Sequence, residues 1–285
     1  MIEGDSFQRF LLEELHIRGE WVRLSDSFQN ATKNLEYPEN LKSLLGQAVA
    51  ASVLLTGTLK FDGRLSIHAR GEGPVSLLMA EATNRRTFRG LVNWEGDIVQ
   101  TTSLQELLGN AQLAITIDPD KGARYQGVVP LERDSLGDCL AHYFELSEQL
   151  DTFLMLESNE KGCFGLMLQK LPDYKTIEDQ DAWNRVVQFA KTLKIDEFME
   201  ADNETLLLRL FHEEQVLSFE QESVKFECSC SRERTLSSIE SLGQKQALEI
   251  LENTATIAVD CQFCRQHYEF DRADVVDLFQ LGSSH

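Results

Sequence analysis

The sequence has few positively charged residues for its length. Its 285 residues include 27 lysines and arginines against 47 aspartates and glutamates, which gives a formal net charge of −20 at pH 7. A negative field of that size repels phosphate backbones, so the composition argues against a general nucleic-acid-binding protein. The same acidity is typical both of an ordinary well-solvated surface and of a protein that stays soluble while it exposes apolar side chains.

Long hydrophobic runs are also missing. The most apolar stretch, Leu44–Leu59, is interrupted by Gln47, Ser52 and Thr56 and is too short to span a membrane, so it is predicted to be a buried core helix. Residues Met1–Ser6 contain no basic residue and no apolar core of the kind found in a signal peptide. We therefore expect a soluble, cytoplasmic protein with no membrane partner.

Motifs of two common enzyme classes are absent. The sequence contains no P-loop for a nucleoside triphosphate, which argues against ATP-driven action. Asp138, His142 and Ser147 could suggest a hydrolase, but they lie in one predicted helical segment and no nucleophile elbow accompanies them. The sequence therefore predicts no catalytic residue, and we do not expect an enzyme.

Residues 1–172 are predicted to form a mixed α/β domain. Phe7–Leu12 and Ser135–Phe144 have apolar residues at helical spacing, and Asp134 or Ser135 is the expected N-cap of the second helix. Strands, and a turn at Gly71–Pro74, are predicted in this domain. The strands are Arg64–Ala69, Ala114–Ile117 and Phe153–Leu156. Because helices and strands do not alternate regularly, a doubly wound parallel sheet is disfavoured.

Acidic residues crowd the segment 173–224, which is predicted to be a helical linker. Apolar runs such as Leu206–Leu208 persist among them, a pattern typical of short amphipathic helices that need a surface to pack against. Such a segment can fold or unfold according to its neighbours, although an ordinary helical connector would have the same composition. The remaining residues, 225–285, are predicted to form a small C-terminal domain.

Four of the six cysteines lie near the C-terminus, as the pairs Cys228-Ser229-Cys230 and Cys261-Gln262-Phe263-Cys264. Two close pairs separated by a loop are typical of a tetrahedral site in which thiolates hold one Zn²⁺. Four sulfur ligands leave no position for water, so hydrolytic zinc catalysis is not expected. His267 follows closely, but with four thiolates available we predict no metal contact for it.

Spacing alone leaves three roles open for this site. It could be purely structural, it could be a redox switch, or its C-x-x-C pair could belong to a thioredoxin-like oxidoreductase. The last role needs a βαβ setting, whereas this pair lies between two segments typical of a hairpin, 255–259 and 268–270. The C-x-C pair favours the switch, because its disulfide would close a small and readily reduced ring. Cys139 and Cys163 are predicted to be small buried residues.

The size of the C-terminal segment sharpens the switch hypothesis. About sixty residues are marginal for an independent hydrophobic core. Structural zinc contributes on the order of 10–16 kcal/mol of apparent folding free energy in small modules. Oxidation of two thiolates would remove two ligands at once, so we expect the metal to leave and the small domain to unfold. A linker packed on it would then lose its support.

The cysteine pattern and its surroundings resemble the 33 kDa chaperonin family, the redox-regulated heat-shock holdases of bacteria. The resemblance covers essentially the whole chain and is carried by a few sequence blocks. These blocks are Tyr125–Leu131, Tyr143–Leu150, Phe226–Ser231, Val259–Cys264 and Tyr268–Phe270. It implies an α+β fold with a large layered N-terminal client-binding domain that holds a helix between sheets, a redox-labile helical linker and a small zinc domain.

The resemblance also implies a mechanism. Cys228, Cys230, Cys261 and Cys264 would hold one zinc ion in a reduced, inactive state. Peroxide or hypochlorite would form the disulfides Cys228–Cys230 and Cys261–Cys264, expel zinc and unfold the linker. The exposed apolar surface would capture unfolding client proteins without ATP under oxidative and heat stress, and the chain would form a homodimer on activation. The competing hypothesis is a constitutive protein-binding module with a purely structural zinc site.

Overall fold

A computed structural model describes residues 4–59, 62–96, 98, 101, 103–172, 179 and 181–281. The chain divides into two compact units, Met1–Glu227 and Cys228–His285. Its fold is of the α+β class, as predicted. The division into three parts at residues 172 and 224 stays a prediction, and its first boundary adjoins positions 173–178, which lie outside the described residues.

Strands and helices of the first unit follow one another without a regular alternation. The strands are β1 (Ser6–Leu12), β2 (Ile17–Leu24), β3 (Gly63–Arg70), β4 (Val75–Thr83), β5 (Thr87–Trp94), β6 (Gln112–Pro119), β7 (Tyr125–Pro130), β8 (Thr152–Asn159), β9 (Gly162–Lys170), β10 (Val216–Ser218), β11 (Glu222–Ser223) and β12 (Lys225–Phe226). The helices are α1 (Asp26–Thr32), α2 (Glu39–Gly57), α3 (Leu104–Leu108), α4 (Leu136–Tyr143), α5 (Ala182–Lys191), α6 (Ile195–Glu200) and α7 (Asn203–Phe211), and a π-helical turn, Phe144–Glu148, follows α4.

Two six-stranded sheets form the framework of this unit. Sheet A has the strand order β10-β1-β2-β9-β8, with β11 also paired with β1, and sheet B has the order β12-β5-β4-β3-β6-β7. Neighbouring strands pair antiparallel, apart from the parallel pair β12 and β5. The predominantly antiparallel pairing agrees with the sequence argument against a doubly wound parallel sheet.

Helix α2 lies between the two sheets and is buried over most of its length. It contacts β2, β8 and β9 of sheet A and β3, β4 and β5 of sheet B, so its apolar residues extend around most of its circumference. Ser52 and Thr56 are accommodated because their hydroxyls donate to the carbonyl oxygens of Val49 (2.8 Å) and Val53 (2.7 Å). The prediction of a buried helix in Leu44–Leu59 is confirmed. In the described part of the chain, no helix is long and apolar enough to cross a membrane.

The prediction of a helix at Phe7–Leu12 is wrong, because this segment forms strand β1. Phe7 packs into the core between the sheets, whereas Phe10 and Leu12 pack into a second apolar cluster on the opposite face of sheet A. A strand that is covered on both faces loses the alternation of apolar and polar residues that identifies a half-buried strand. Its apolar positions then resemble helical spacing.

The other local predictions for this unit are confirmed. The three predicted strands lie within β3, β6 and β8, and Gly71–Pro74 connects β3 with β4. The predicted helix near residue 140 is α4, and its N-cap is Ser135, whose Oγ accepts a hydrogen bond from the backbone N–H of Asp138 (3.0 Å). The strands and the helix were recognisable because one face of each packs against a core and the other does not, which leaves an apolar–polar pattern in the sequence.

Helices α5, α6 and α7, which belong to the predicted linker, cover the outer face of sheet A. Their aromatic side chains meet those of the sheet. The ring centroid of Phe198 lies 3.8 Å from that of Phe164 and 5.3 Å from that of Trp21, and Phe211 lies 5.9 Å from Phe10. The amphipathic helices predicted from the sequence thus find their packing surface within the first unit.

The second unit is built from three short helices and a hairpin. Its elements are α8 (Arg232–Glu240), α9 (Gln244–Asn253), β13 (Ile257–Asp260), β14 (His267–Phe270) and α10 (Arg272–Leu281). Strands β13 and β14 pair antiparallel, which confirms the predicted hairpin. The fully buried apolar core of this unit is small. It consists of Ile239, Ala247, Ile257, Phe270 and Val275.

A buried carboxyl group lies on the inner face of sheet A. Glu20 of β2 is only 2% exposed, and its Oε2 has no hydrogen-bond partner among the described residues. Burial raises the pKa of Glu20 from 4.5 to about 7, although Arg18, Arg86 and Arg9 lower it. Glu222, a neighbouring carboxyl, adds to the rise. The folded protein therefore holds a proton on Glu20 at pH values at which an unfolded chain releases it.

We expect this group to destabilise the first unit as the pH rises. Between pH 4.5 and 7 the unfolded chain loses a proton that the folded chain keeps, so the free energy of unfolding falls, by roughly 2–3 kcal/mol in all. Glu20→Gln removes that titration. Its free energy of unfolding relative to the wild type should rise from pH 4.5 to 7 and then remain constant.

Urea denaturation followed by tryptophan fluorescence measures this difference, because all three tryptophans, Trp21, Trp94 and Trp183, belong to the first unit. Glu14→Gln is the control, since Glu14 is exposed. A stability difference between Glu20→Gln and the wild type that does not change with pH would contradict the assignment.

Candidate metal centre

The first cysteine pair lies in an extended segment directly before helix α8. Ser231 caps that helix, because its Oγ accepts a hydrogen bond from the N–H of Arg234 (3.2 Å). The Arg234 guanidinium in turn donates to the carbonyl oxygen of Ser229 (2.8 Å), the residue between the two cysteines. Helix α8 therefore fixes the backbone that carries Cys228 and Cys230.

The second cysteine pair lies in the loop that joins β13 to β14. The N–H of Cys261 donates to the Gln266 carbonyl (3.0 Å), and the N–H of Arg265 donates to the Cys261 carbonyl (2.8 Å). Arg265 closes the loop in the left-handed region, with φ at 57°. This tight turn directs the side chains of Cys261 and Cys264 to the same place.

The four sulfurs converge. The Sγ atoms of Cys228 and Cys261 are 3.6 Å apart, those of Cys230 and Cys264 are 3.5 Å apart, and all four lie within 4.8 Å of one another. A tetrahedral site with Zn–S bonds of about 2.3 Å has sulfur–sulfur separations of about 3.8 Å. The cluster therefore has the size that a four-thiolate zinc site requires. No other group of three or more potential ligands converges in this way among the described residues.

The ionisation of these thiols shows why a cation fits the cluster. Burial, with the neighbouring thiols, raises the pKa of Cys228 well above its usual value, and burial raises that of Cys264 to about 11. Burial also opposes ionisation of Cys261, but hydrogen bonds from the backbone N–H groups of Cys264 and Phe263 and from nearby thiols lower its pKa. Without a cation the group therefore favours one thiolate over several. A divalent metal would let all four ionise.

His267 and the two remaining cysteines do not belong to the four-sulfur cluster. His267 is exposed and is bonded to Asp260 (Nδ1 to Oδ1, 2.7 Å) and to Glu269 (Nε2 to Oε1, 3.2 Å), contacts that raise its pKa. It lies outside the cluster, in agreement with the prediction. Cys139 and Cys163 are buried in the first unit, also as predicted, and burial raises the pKa of each thiol.

Asp138, His142 and Ser147 do not form a hydrolytic triad. Asp138 accepts a hydrogen bond from the Ser135 hydroxyl (2.6 Å), and His142 lies beside Glu145 (3.4 Å). Ser147 lies in the π-helical turn that follows α4. The arrangement is that of a helix cap and a surface pair.

Tyr268 is a site residue that sequence reasoning missed. Its hydroxyl donates a hydrogen bond to the Sγ of Cys230 (3.2 Å), an interaction that raises the pKa of Tyr268 to about 12. From the sequence, Tyr268 belongs to a predicted strand and to a block that carries the family resemblance, and neither assigns a role to its hydroxyl. A possible signal was the alternation in β14, where His267 and Glu269 are exposed while Tyr268 and Phe270 face inward.

Comparison with known proteins identifies the family. The sequence profile described as "Hsp33 protein" matches residues 5–271. The chain belongs to the Hsp33 family. It is similar to the 33 kDa chaperonin of Hahella chejuensis, with 48% identity over 288 residues that cover 100% of both chains. It is also 45% identical to the 33 kDa chaperonin of Ectopseudomonas mendocina, over 99% of this chain and 97% of the relative.

A solved structure has the same fold. The crystal structure of the 33 kDa chaperonin of Thermotoga maritima superposes with a TM-score of 0.83, covering 98% of this chain and 99% of the other, at 21% sequence identity. At that identity the likeness establishes the fold. Membership of the Hsp33 family confirms the resemblance inferred from the sequence blocks, and the chaperonin names of the relatives support a chaperone role.

For this Hsp33-family chain we expect one tightly bound zinc ion per reduced chain. Cys230→Ser should lose most of it, since an alcohol at the fourth position is a poor ligand and cannot match a thiolate. Elemental analysis after dialysis against a weak chelator measures the ratio of zinc to protein. Cys139→Ser, outside the cluster, should keep its zinc. Equal zinc content in the two variants would show that the four-sulfur cluster is not the binding site.

Proposed function

We propose that this chain is a redox-regulated, ATP-independent chaperone that holds unfolding proteins. In the reduced state Cys228, Cys230, Cys261 and Cys264 would bind one zinc ion, and the chaperone would be inactive. Oxidation would form the disulfides Cys228–Cys230 and Cys261–Cys264, empty the site and unfold the linker. The apolar surface exposed in this way would bind client proteins during oxidative and heat stress.

The convergence of four sulfurs in a unit with a very small core carries this proposal. Among the described residues of this unit, five buried apolar side chains and seven partly buried ones form a core that is marginal for some sixty residues on its own. Bound zinc would neutralise the thiolates and tie the segment before α8 to the β13–β14 loop. Its loss would remove a contribution on the order of 10–16 kcal/mol, so this unit should unfold.

The redox step balances with a hydroperoxide as oxidant. One thiolate attacks an oxygen of the O–O bond, and a sulfenic acid forms while the leaving oxygen takes up a proton. The second thiolate of the pair then attacks the sulfenic sulfur, which forms the S–S bond and releases the other oxygen as water. Two electrons from each cysteine pair thus reduce one peroxide. Each disulfide removes two ligands from the site.

The linker is the part of the first unit that is best suited to release. Helices α5, α6 and α7 have ten, six and nine residues, and isolated helices shorter than about 12–15 residues are marginal in water. Their structure therefore depends on the apolar cluster that they share with sheet A. If that packing is lost, both the inner faces of these helices and the outer face of the sheet become available to clients.

A buried arginine makes the packing of the linker helices on sheet A less stable. Arg23 of β2 is 3% exposed, and its Nη2 donates to the carbonyl oxygen of Ala201 (2.7 Å) and to Oδ1 of Asn203 (3.1 Å). Burial lowers the pKa of Arg23, an effect that Asp202 opposes. Because both of these hydrogen bonds are to neutral acceptors, the cost of desolvating Arg23 is only partly offset. Release of the linker would return this charge to water.

Further features of the proposal follow from the chemistry of the thiols and from the family. A site that needs four reduced cysteines fits a reducing compartment, so we place the protein in the cytoplasm. We further propose that activation is accompanied by homodimerisation, and that neither ATP, nucleic acid nor a membrane takes part. Control by oxidation then replaces control by nucleotide hydrolysis.

Oxidation should switch chaperone activity on. The reduced, zinc-loaded chain should leave the light scattering of a heat-unfolding client nearly unchanged, whereas the same chain treated with peroxide at mild heat should suppress it. Zinc release, followed with a chromogenic chelator, and loss of helical dichroism should accompany the gain. Equal suppression by both forms, with zinc retained under oxidant, would instead favour a constitutive binding module with structural zinc.

Weakening the linker contact should make activity less dependent on oxidation. Phe198→Ala removes a ring that packs on Trp21 and Phe164, at a cost of about 3–5 kcal/mol to linker packing. This variant should suppress client aggregation while reduced and zinc-bound, and protease should cut its linker faster. Leu208→Ala is the control, because Leu208 lies on α7 but is 62% exposed. Activation of both variants to the same degree would argue against the role of the packed face.

A further inference from the structure

The structure assigns Tyr268 as the positioning residue that sets how readily the C-x-C pair is oxidised: its hydroxyl holds the Cys230 sulfur as a metal ligand and slows its reaction with oxidants. This inference rests on the proposed function, since it concerns the redox step at the same four sulfurs. The contact that motivates it is the hydrogen bond from the Tyr268 hydroxyl to the Cys230 Sγ, at 3.2 Å.

The chemistry of a thiolate gives this contact its effect. A donated hydrogen bond stabilises negative charge on sulfur and draws electron density away from its lone pairs. The sulfur then becomes a weaker nucleophile towards peroxide, while its charged, ligating form is favoured over the protonated thiol. Hydrogen bonds to metal ligands from neighbouring groups tune affinity in this way, and their loss typically lowers it about ten-fold or more.

The protein fixes the two partners through a single arginine. Arg232, two residues after Cys230, donates from Nη1 to the carbonyl oxygen of Glu269 (2.8 Å), the residue after Tyr268. Its guanidinium also lies 4.6 Å from the ring centroid of Phe270 and pairs with Asp274 (2.6 Å). The start of α8 and strand β14 are thereby tied together.

This arrangement explains why the hydroxyl meets one particular sulfur. Tyr268 lies on the inward face of β14, and its ring packs against the apolar cluster that contains Phe270. Its hydroxyl oxygen reaches the sulfur of Cys230. The contacts of Arg232 are with Glu269, Phe270 and Asp274, so they do not involve the four sulfurs. The Tyr268 hydroxyl is therefore placed beside the Cys230 sulfur by the folded second unit.

Tyr268→Phe in the full-length chain tests the inference, because it deletes the oxygen and keeps the ring. Peroxide should release zinc several-fold faster from this variant than from the wild type, and zinc affinity by chelator competition should fall about ten-fold. In the cobalt-substituted proteins the sulfur-to-cobalt charge-transfer band should move to longer wavelength, since the sulfur lone pairs rise in energy. Tyr125→Phe, which removes a hydrogen-bonded hydroxyl from the first unit, should change none of these.

A second replacement keeps the test decisive if Tyr268→Phe binds metal poorly. With 3-fluorotyrosine at position 268 the hydroxyl becomes a stronger donor, so at pH 7 the band should move to shorter wavelength and zinc release should slow. Bands and release rates equal to those of the wild type in both proteins would overturn the role of Tyr268. Failure of the proposed function has a different signature, because it appears in the wild-type chain as unchanged chaperone activity after oxidation.

Discussion

Four cysteine sulfurs confined within 4.8 Å of one another can all carry negative charge only when a cation lies among them. Burial raises the pKa values of Cys228 and Cys264, while hydrogen bonds from backbone N–H groups and nearby thiols lower the pKa of Cys261. A bound metal would therefore link the charge of the sulfurs to the fold of the second unit. Under the proposed function, oxidation of the sulfurs would change their charge, release the metal and destabilise the fold in one step.

The same dependence on a partner recurs in the first unit, with apolar surface in place of charge. Sheet A is apolar on both faces, and α2 and the linker helices each cover one of them. Helix α2 is held by two sheets and forms part of the main core. The linker helices are short, and they pack on a single sheet. The outer layer is thus the more easily lost of the two, and its loss would leave the main core in place.

Most of the fold could be predicted where a local pattern has one physical cause. The buried helix, three strands, the turn at Gly71–Pro74 and the Ser135 cap were all predicted correctly, because each depends on residues close in sequence. Strand β1 was predicted wrongly, since its apolar pattern results from two distant layers that cover both faces. Such burial is set by tertiary packing, which a window of six residues does not contain.

The residues of the candidate site also differ in how far the sequence predicts them. The spacing of the cysteines was sufficient to identify the four residues that converge, because thiolate ligands leave a strong mark on a sequence. For Tyr268 the sequence offers only the alternation of β14, because a tyrosine in a strand is ordinary and its contact with Cys230 depends on how Arg232 ties α8 to β14. Residues that tune a site through another residue are fixed by three-dimensional placement, and only the structure reveals them.

Charge decides less about linker packing than the composition suggests. Two of the linker's ion pairs, Lys161 with Asp196 and Arg209 with Glu197, involve largely exposed side chains and are worth little in water, whereas the pair of Arg185 with Glu214 is more buried. The aromatic contacts of Phe198 and Phe211 therefore contribute more to the free energy of packing than these two exposed pairs do. The acidity matters for the released state instead. In the proposed released state, the many carboxylates of the linker would keep its exposed apolar face solvated, so clients could reach the surface before it aggregates.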